Sequence, residues 1–326
     1  MDFGVAAYSL PCSCGFARRD GQGIDAPLMA WGVIDLAAKH GLSGIEIPLP
    51  GMLPALDEAN VDQLRERLHA AHLGLVIDTG IVDKDVLQLV LPLAARAGAK
   101  TVRGVVSGIL EGARASVPGG WAAHLATIER QVIAVAPLLE TYDLTLALED
   151  HQDVTSAELV ALCVAGGPRI GVTLDVANPL AVGEDVLAFA EHVGPYIRNV
   201  HLKDYTIHAM PSGYRLVRAA LGEGDLPWAA LLALLARVAP QATLQIELAA
   251  LYGRHIRVFD DDWWQSFPPT DVRAALPALR FMAQHARPAD APWHTPWELG
   301  EPFDAVAAWE QAQFARSVAF LRSAPG

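Results

Sequence analysis

The chain of 326 residues reads as an α/β protein: a closed (β/α)8 TIM barrel with a C-terminal helical extension. Three observations predict this. Eight short apolar runs alternate with eight amphipathic, helix-length segments. The runs are apolar nearly throughout, as parallel strands covered on both faces are. The length suits eight βα units in one barrel.

In chain order, strands are predicted at 2–9 (DFGVAAYS), 44–49 (GIEIPL), 74–79 (GLVIDT) and 100–106 (KTVRGVV). They continue at 144–149 (LTLALE), 170–175 (IGVTLD), 197–203 (IRNVHLK) and 243–248 (TLQIEL). Helical patterns fill the gaps at 27–40, 60–73, 83–98, 121–142, 155–165, 184–194, 227–238 and 271–286. Alanine and leucine dominate the apolar residues, which favours these helices. Thr155-Ser156-Ala157-Glu158 is a helix start. A doubly wound open sheet is the competing architecture. It calls for a glycine-rich turn straight after the first strand, and Gly21-Gln22-Gly23 comes late and lacks the rest of that fingerprint. Residues 1–287 are assigned to the barrel. Residues 288–326 form an extension with two Pro-Trp pairs and a helix around 303–322, packing on the barrel or on a neighbouring subunit.

Hydrophobic residues make up 52% of the chain and charged ones 19%, enough to bury a large core. A net charge of −13 repels nucleic-acid phosphates and anionic membrane surfaces. Three cysteines do not make a disulfide framework, and Cys12-Ser13-Cys14 is too sparse for a structural zinc site. The N-terminus lacks a signal-peptide pattern and no stretch of 18 apolar residues is free of charge, so a cytoplasmic protein is expected.

In such barrels the C-terminal ends of the strands converge on one mouth, where chemistry sits. Here Glu149, Asp175, His201 and Glu247 end or nearly end four successive predicted strands, and the first three lie 26 residues apart. Three carboxylates and an imidazole brought together repel unless a divalent cation lies between them. Such ligands suit Mn2+, the expected ion, with Mg2+, Co2+ and Zn2+ as alternatives. Each residue taken alone would pass for a polar strand end.

The runs LALEDH, TLDVANP, VHLKD and LQIEL resemble the motifs of the sugar phosphate isomerase/epimerase superfamily, the xylose isomerase-like TIM barrels. The resemblance spans roughly residues 1–285. It implies that Glu149, Asp175, His201 and Glu247 hold one divalent metal ion. It also implies an isomerase or epimerase acting on a keto-sugar or sugar derivative through an enediolate that the ion stabilises. In ketose epimerases of this group, glutamates matching Glu149 and Glu247 move the proton from opposite faces of the carbon. His151 lies two residues past Glu149 on the same side of the strand, and is a candidate base or a residue that orients a ligand.

Two departures matter. Asn178 stands where the epimerases carry a histidine, and Lys203 is the nearby cation where they carry an arginine. A carbonyl-binding Lys203 with a His151 base also suits a lyase: a 3-oxo sugar acid decarboxylase or a 3-keto-glycoside-cleaving enzyme. Lys203 is equally suited to a structural ion pair with Asp204 or Glu149. Asn178, Arg103 and Glu46 are expected at the substrate, Arg103 by bidentate binding of an anionic group; a salt bridge across the barrel is an equal alternative for Arg103, and a polar strand tip is the alternative for Glu46. A small carbohydrate is the expected partner, with a homo-oligomer and an accessory subunit as further associations. An endonuclease IV type of activity is set aside because of the charge and the single histidine ligand. A non-catalytic binding subunit is the remaining alternative.

Overall fold

The computed structural model describes residues 2–269 and 271–324. Its barrel opens with β1 (Gly4–Ala6), β2 (Gly44–Pro48), β3 (Gly74–Ile81) and β4 (Thr101–Val105). It continues through β5 (Thr145–Glu149), β6 (Ile170–Asp175) and β7 (Ile197–Leu202). An excursion of two strands follows, β8 (Asp204–Met210) and β9 (Gly213–Ala219), before β10 (Thr243–Ile246). The barrel strands are all parallel, and β10 pairs with both β7 and β1, so the first and eighth staves close the ring. The open-sheet alternative is thereby excluded.

The staves are buried on both faces: all six residues of β6 are buried, and in β5 only Thr145 is not. Gly4 marks the tightest seam. A Cβ there would lie 2.3 Å from the carbonyl oxygen of Gly44 and from the Gln245 side chain.

Helices α1 (Ala30–Lys39), α2 (Glu58–Ala70), α3 (Lys84–Ala97), α4 (Trp121–Thr141), α5 (Ser156–Gly166), α6 (Val186–Val193), α7 (Trp228–Val238) and α8 (Val272–His285) cover the ring. The start of α5 is a full capping box. The Thr155 hydroxyl accepts from the Glu158 amide, and the Glu158 carboxylate accepts from the Thr155 amide.

The excursion differs from the sequence reading, which assigned no strands between 204 and 226. There β8 and β9 form an antiparallel hairpin in register from Asp204↔Ala219 to Met210↔Gly213. A short strand after the last stave, β11 (Arg254–Ile256), joins the edge of β9 with Arg254 opposite Leu216. Alternation flanking the Pro-Ser-Gly turn at 211–213 is the signal for this hairpin. Gly213 (φ +147°) is required, because a Cβ would meet Ile256 O at 2.1 Å. The buried Asp204 carboxylate ties down the return loop. It accepts the backbone N–H groups of Gly222 (2.9 Å) and Gly224 (3.1 Å), and the indole N–H of Trp228 (2.7 Å).

Helix α9 (Phe303–Ser323) buries Phe314, Val318 and Leu321 against the main core. Its buried Glu310 accepts the backbone N–H groups of Cys12 (2.8 Å) and Ser13 (2.9 Å) in the loop after β1. Cys12, Cys14 and Cys163 are free and buried. Burial pushes the Cys14 thiol up to about 12. Among the described residues no helix is long and apolar enough to cross a membrane.

Candidate active site

Strand register assembles the site. Asp175, the last residue of β6, lies opposite His201 in β7, and Glu149 at the end of β5 lies opposite Thr173. Neighbouring strands are about 4.8 Å apart, so these side chains reach a common space. One ligand atom each of Glu149, Asp175 and His201 falls within 4.8 Å of the others. All three residues are at most 1% exposed. Glu247 directly follows β10, and its N–H donates to Leu202 O at 3.0 Å, which continues the stave. It is held beside the trio through Lys203, whose Nζ lies 2.7 Å from Glu247 Oε2 and 2.5 Å from Asp175 Oδ2.

The buried charges are interlocked. Arg103 contacts Asp78 Oδ1 through Nη1 at 2.6 Å and Glu149 Oε2 through Nη2. The His201 ring presents Nδ1 to Glu149 Oε1 at 3.3 Å and Nε2 to Glu46 at 2.9 Å. Asn199 donates to Glu46 Oε2 at 2.8 Å. Glu46, expected at the substrate, is thus placed on the Nε2 side of His201, outside the cavity lining. Arg103 does line the cavity, but two of its nitrogens are committed to carboxylates.

Burial works against the Lys203 charge, yet Asp175 and Glu247 hold its ammonium well above the usual lysine range. Burial alone would raise the Glu247 carboxyl; Lys203 and His201 outweigh it and bring it to about 2. For His201, burial lowers and Glu46 more than restores affinity for a proton.

This donor set fits a divalent cation. Carboxylate oxygens with one imidazole nitrogen are the ligands of Mn2+, Mg2+, Co2+ or Zn2+. Among the described residues, the five carboxylates of Glu46, Asp78, Glu149, Asp175 and Glu247 have Arg103, Lys203 and His201 as their basic partners. Glu247 Oε2 is buried without a hydrogen bond, its contact with Lys203 being poorly directed.

A cavity of about 240 Å³ opens onto this cluster. Glu149, His151, Asn178, Lys203, Glu247 and Arg254 contribute to its walls. His151 reaches it from the turn after β5, where Gln152 adopts a left-handed backbone (φ +70°). Such strain in a non-glycine residue persists where surroundings over-determine it. Gln152 accepts the Gly112 N–H (2.9 Å) and the Glu111 N–H (3.1 Å), and donates to Asn178 Oδ1 (3.1 Å). Asn178 Nδ2 and His151 Nδ1 are among the buried polar atoms here without a hydrogen-bond partner. Burial, then Arg103 and Lys203, lower the His151 imidazole to about 3, so it is neutral.

Arg254 was not legible as a site residue. It lies in β11, outside the barrel staves, and nothing in GRHIRV marks it apart from its position seven residues past Glu247. Trp31 and the tryptophans of the DDDWW segment at 260–264, whose ring faces could stack on a sugar, are absent from the cavity lining: Trp31 lies under Arg67, and Trp263 packs on Trp264 and Phe267.

Comparison with known proteins agrees with this architecture. Residues 34–250 match the family model described as xylose isomerase-like TIM barrel. A curated relative is the uncharacterized protein YihM of Escherichia coli (strain K12), 27% identical over 205 residues. That match covers 61% of this chain, which spans only 60% of the relative's length. Among solved structures, a D-psicose 3-epimerase in the presence of D-fructose superposes with a TM-score of 0.61 at 17% identity. It covers 87% of this chain and 98% of its own. An L-ribulose 3-epimerase superposes with a TM-score of 0.58 at 18% identity, covering 99% of both chains. At these identities the superpositions show a shared fold.

Proposed function

Since the chain belongs to the xylose isomerase-like TIM-barrel family, we propose that it is a divalent-metal-dependent sugar isomerase or epimerase. Its substrate is a keto-sugar or sugar derivative, and it works in the cytoplasm. The observation that carries this reading is the convergence of Glu149, Asp175 and His201 within 4.8 Å at the barrel mouth, with Glu247 alongside. The sugar epimerases among the structural neighbours support it.

A cation held by Glu149, Asp175, His201 and Glu247, Mn2+ being our choice, would supply Lewis-acid polarisation of adjacent oxygens on a hydroxy-ketone. The chain supplies the proton transfers. Glu149 and Glu247 leave staves β5 and β10, with β6 and β7 between them, so they approach a ligand from different sides. One takes the proton from the carbon next to the carbonyl; the other returns it to the opposite face. Lys203 contacts both Asp175 and Glu247 and favours their ionised forms against burial. Glu46 fixes the ring orientation of His201 through Nε2, leaving Nδ1 toward Glu149.

A lyase is the second reading, favoured by His151. It is a cavity-lining imidazole separate from the two glutamates, with its Nδ1 unpartnered. Both readings are tested by incubating metal-loaded protein in D2O with a panel of ketoses, 3-oxo sugar acids and 3-keto-glycosides. Isomerisation or epimerisation gives deuterium at the exchanged carbon with the carbon skeleton intact. Loss of CO2 or of an aglycone identifies the lyase. Turnover that survives exhaustive chelation would overturn the metal-dependent reading.

A further inference from the structure

Three cations reach the cavity, and they are not alike. Arg103 contacts Asp78 and Glu149, and Lys203 contacts Asp175 and Glu247. Arg254 has no carboxylate partner among the described residues, although it is only 9% exposed. Its Nε and Nη1 are buried without a hydrogen bond. The guanidinium carbon lies over the Tyr252 ring at 4.3 Å. Leaving a charged group buried and unpaired is costly. Asn178 lines the same cavity, and its Nδ2, on an amide whose oxygen is already engaged by Gln152, is a second donor without an acceptor.

We propose that Arg254 and Asn178 form a carboxylate subsite, and that the substrate is therefore a sugar acid rather than a neutral sugar. A guanidinium edge binds a carboxylate through two parallel hydrogen bonds, and Arg254, which no carboxylate contacts among the described residues, offers one such edge. A phosphate would bring closer to two negative charges. The cavity, about 240 Å³, lies below the roughly 300–1,000 Å³ of drug-sized sites and suits a monosaccharide derivative. The assignment rests on reading this cavity as a sugar site, but it is tested by binding rather than by turnover.

The experiment is calorimetric titration of the full chain with D-gluconate, D-fructose and D-fructose 6-phosphate, with Mn2+ and in excess chelator. Gluconate should bind most tightly to the wild type. Arg254→Gln should weaken gluconate by about 10–100-fold and leave fructose nearly unchanged. Arg254→Lys, which keeps the charge but not the fork, should fall between them, and it is the variant to read if Arg254→Gln does not fold. Equal affinities for gluconate and fructose, or a gluconate affinity indifferent to both substitutions, would overturn the subsite. Preference for the phosphate ester would overturn the carboxylate assignment. Arg254-dependent gluconate binding without turnover of any sugar would leave the subsite standing while the proposed reaction fails.

Discussion

Lys203 Nζ lies 2.5 Å from Asp175 Oδ2, so an internal ammonium already faces a carboxylate that we propose as a metal ligand. The same ammonium reaches Glu247 at 2.7 Å. Lys203→Met removes the charge from between them. In chelator the variant should lose about 3–5 kcal/mol of stability, since the carboxylates are left buried and unpaired. Adding Mn2+ should recover a large part of that loss. Urea unfolding with and without the ion measures both quantities, and a variant indifferent to Mn2+ would argue against a cation shared by Asp175 and Glu247.

Glu46 should control metal affinity without touching the metal. It holds His201 by Nε2 at 2.9 Å. Glu46→Gln is expected to weaken Mn2+ binding by about 10–100-fold, as loss of a supporting hydrogen bond to a ligand histidine does. Competition titration against a fluorescent chelator gives the number. An unchanged Mn2+ affinity would show that the ring is fixed by its stave alone.

His151 separates two roles. If it transfers a proton, His151→Ala should lower turnover by about 10²–10⁴-fold while metal content per chain is unchanged. If it orients a ligand instead, the same change should lower metal affinity, and excess Mn2+ should restore much of the rate. Metal analysis beside steady-state kinetics distinguishes the two, and full activity with normal affinity would defeat both.

Asp153 sets a pH dependence of stability away from the proposed ligands. It is fully buried and accepts from Ser107 Oγ at 2.5 Å. Burial pushes its carboxyl up to about 7, against an unperturbed 3.8, despite the opposing effects of Ser107 and Arg114. The folded state therefore holds this proton more tightly than the unfolded state. Its contribution is fully present below pH 3.8, is lost as pH rises toward about 7, and is flat above. Asp153→Asn stays neutral throughout. The variant should exceed the wild type in stability at pH 8 by a few kcal/mol, with the gap closing toward pH 4. Urea midpoints across that range check it, and parallel curves would show that Asp153 is ionised in the folded state at all these pH values.

Much of the barrel was legible because two-sided burial writes a simple code. Runs such as IGVTLD and LTLALE have no solvent face to encode, so their apolar character and spacing define the staves. Asp175 and His201 were legible for a related reason: each ends or nearly ends such a run, and parallel register then brings them opposite each other. The partner of Glu46 was not legible. Contact between β2 and β7 crosses the barrel interior and depends on how the staves are staggered, which no local pattern records. Arg254 escaped for another reason. Its placement follows from β11, in the stretch after the last stave, pairing with β9, 35 or more residues earlier in sequence.

That excursion has a consequence for how the molecule can change. Its two strands and β11 form a three-stranded antiparallel sheet separate from the ring. Lengthening the hairpin or replacing Arg254 breaks no hydrogen bond between staves. The lineage can thus exchange the group that selects a ligand while the carboxylates and the histidine keep their register. Homologues with a shared reaction core and divergent substrates are the expected outcome, and their differences should concentrate in the segments corresponding to 204–219 and 248–258.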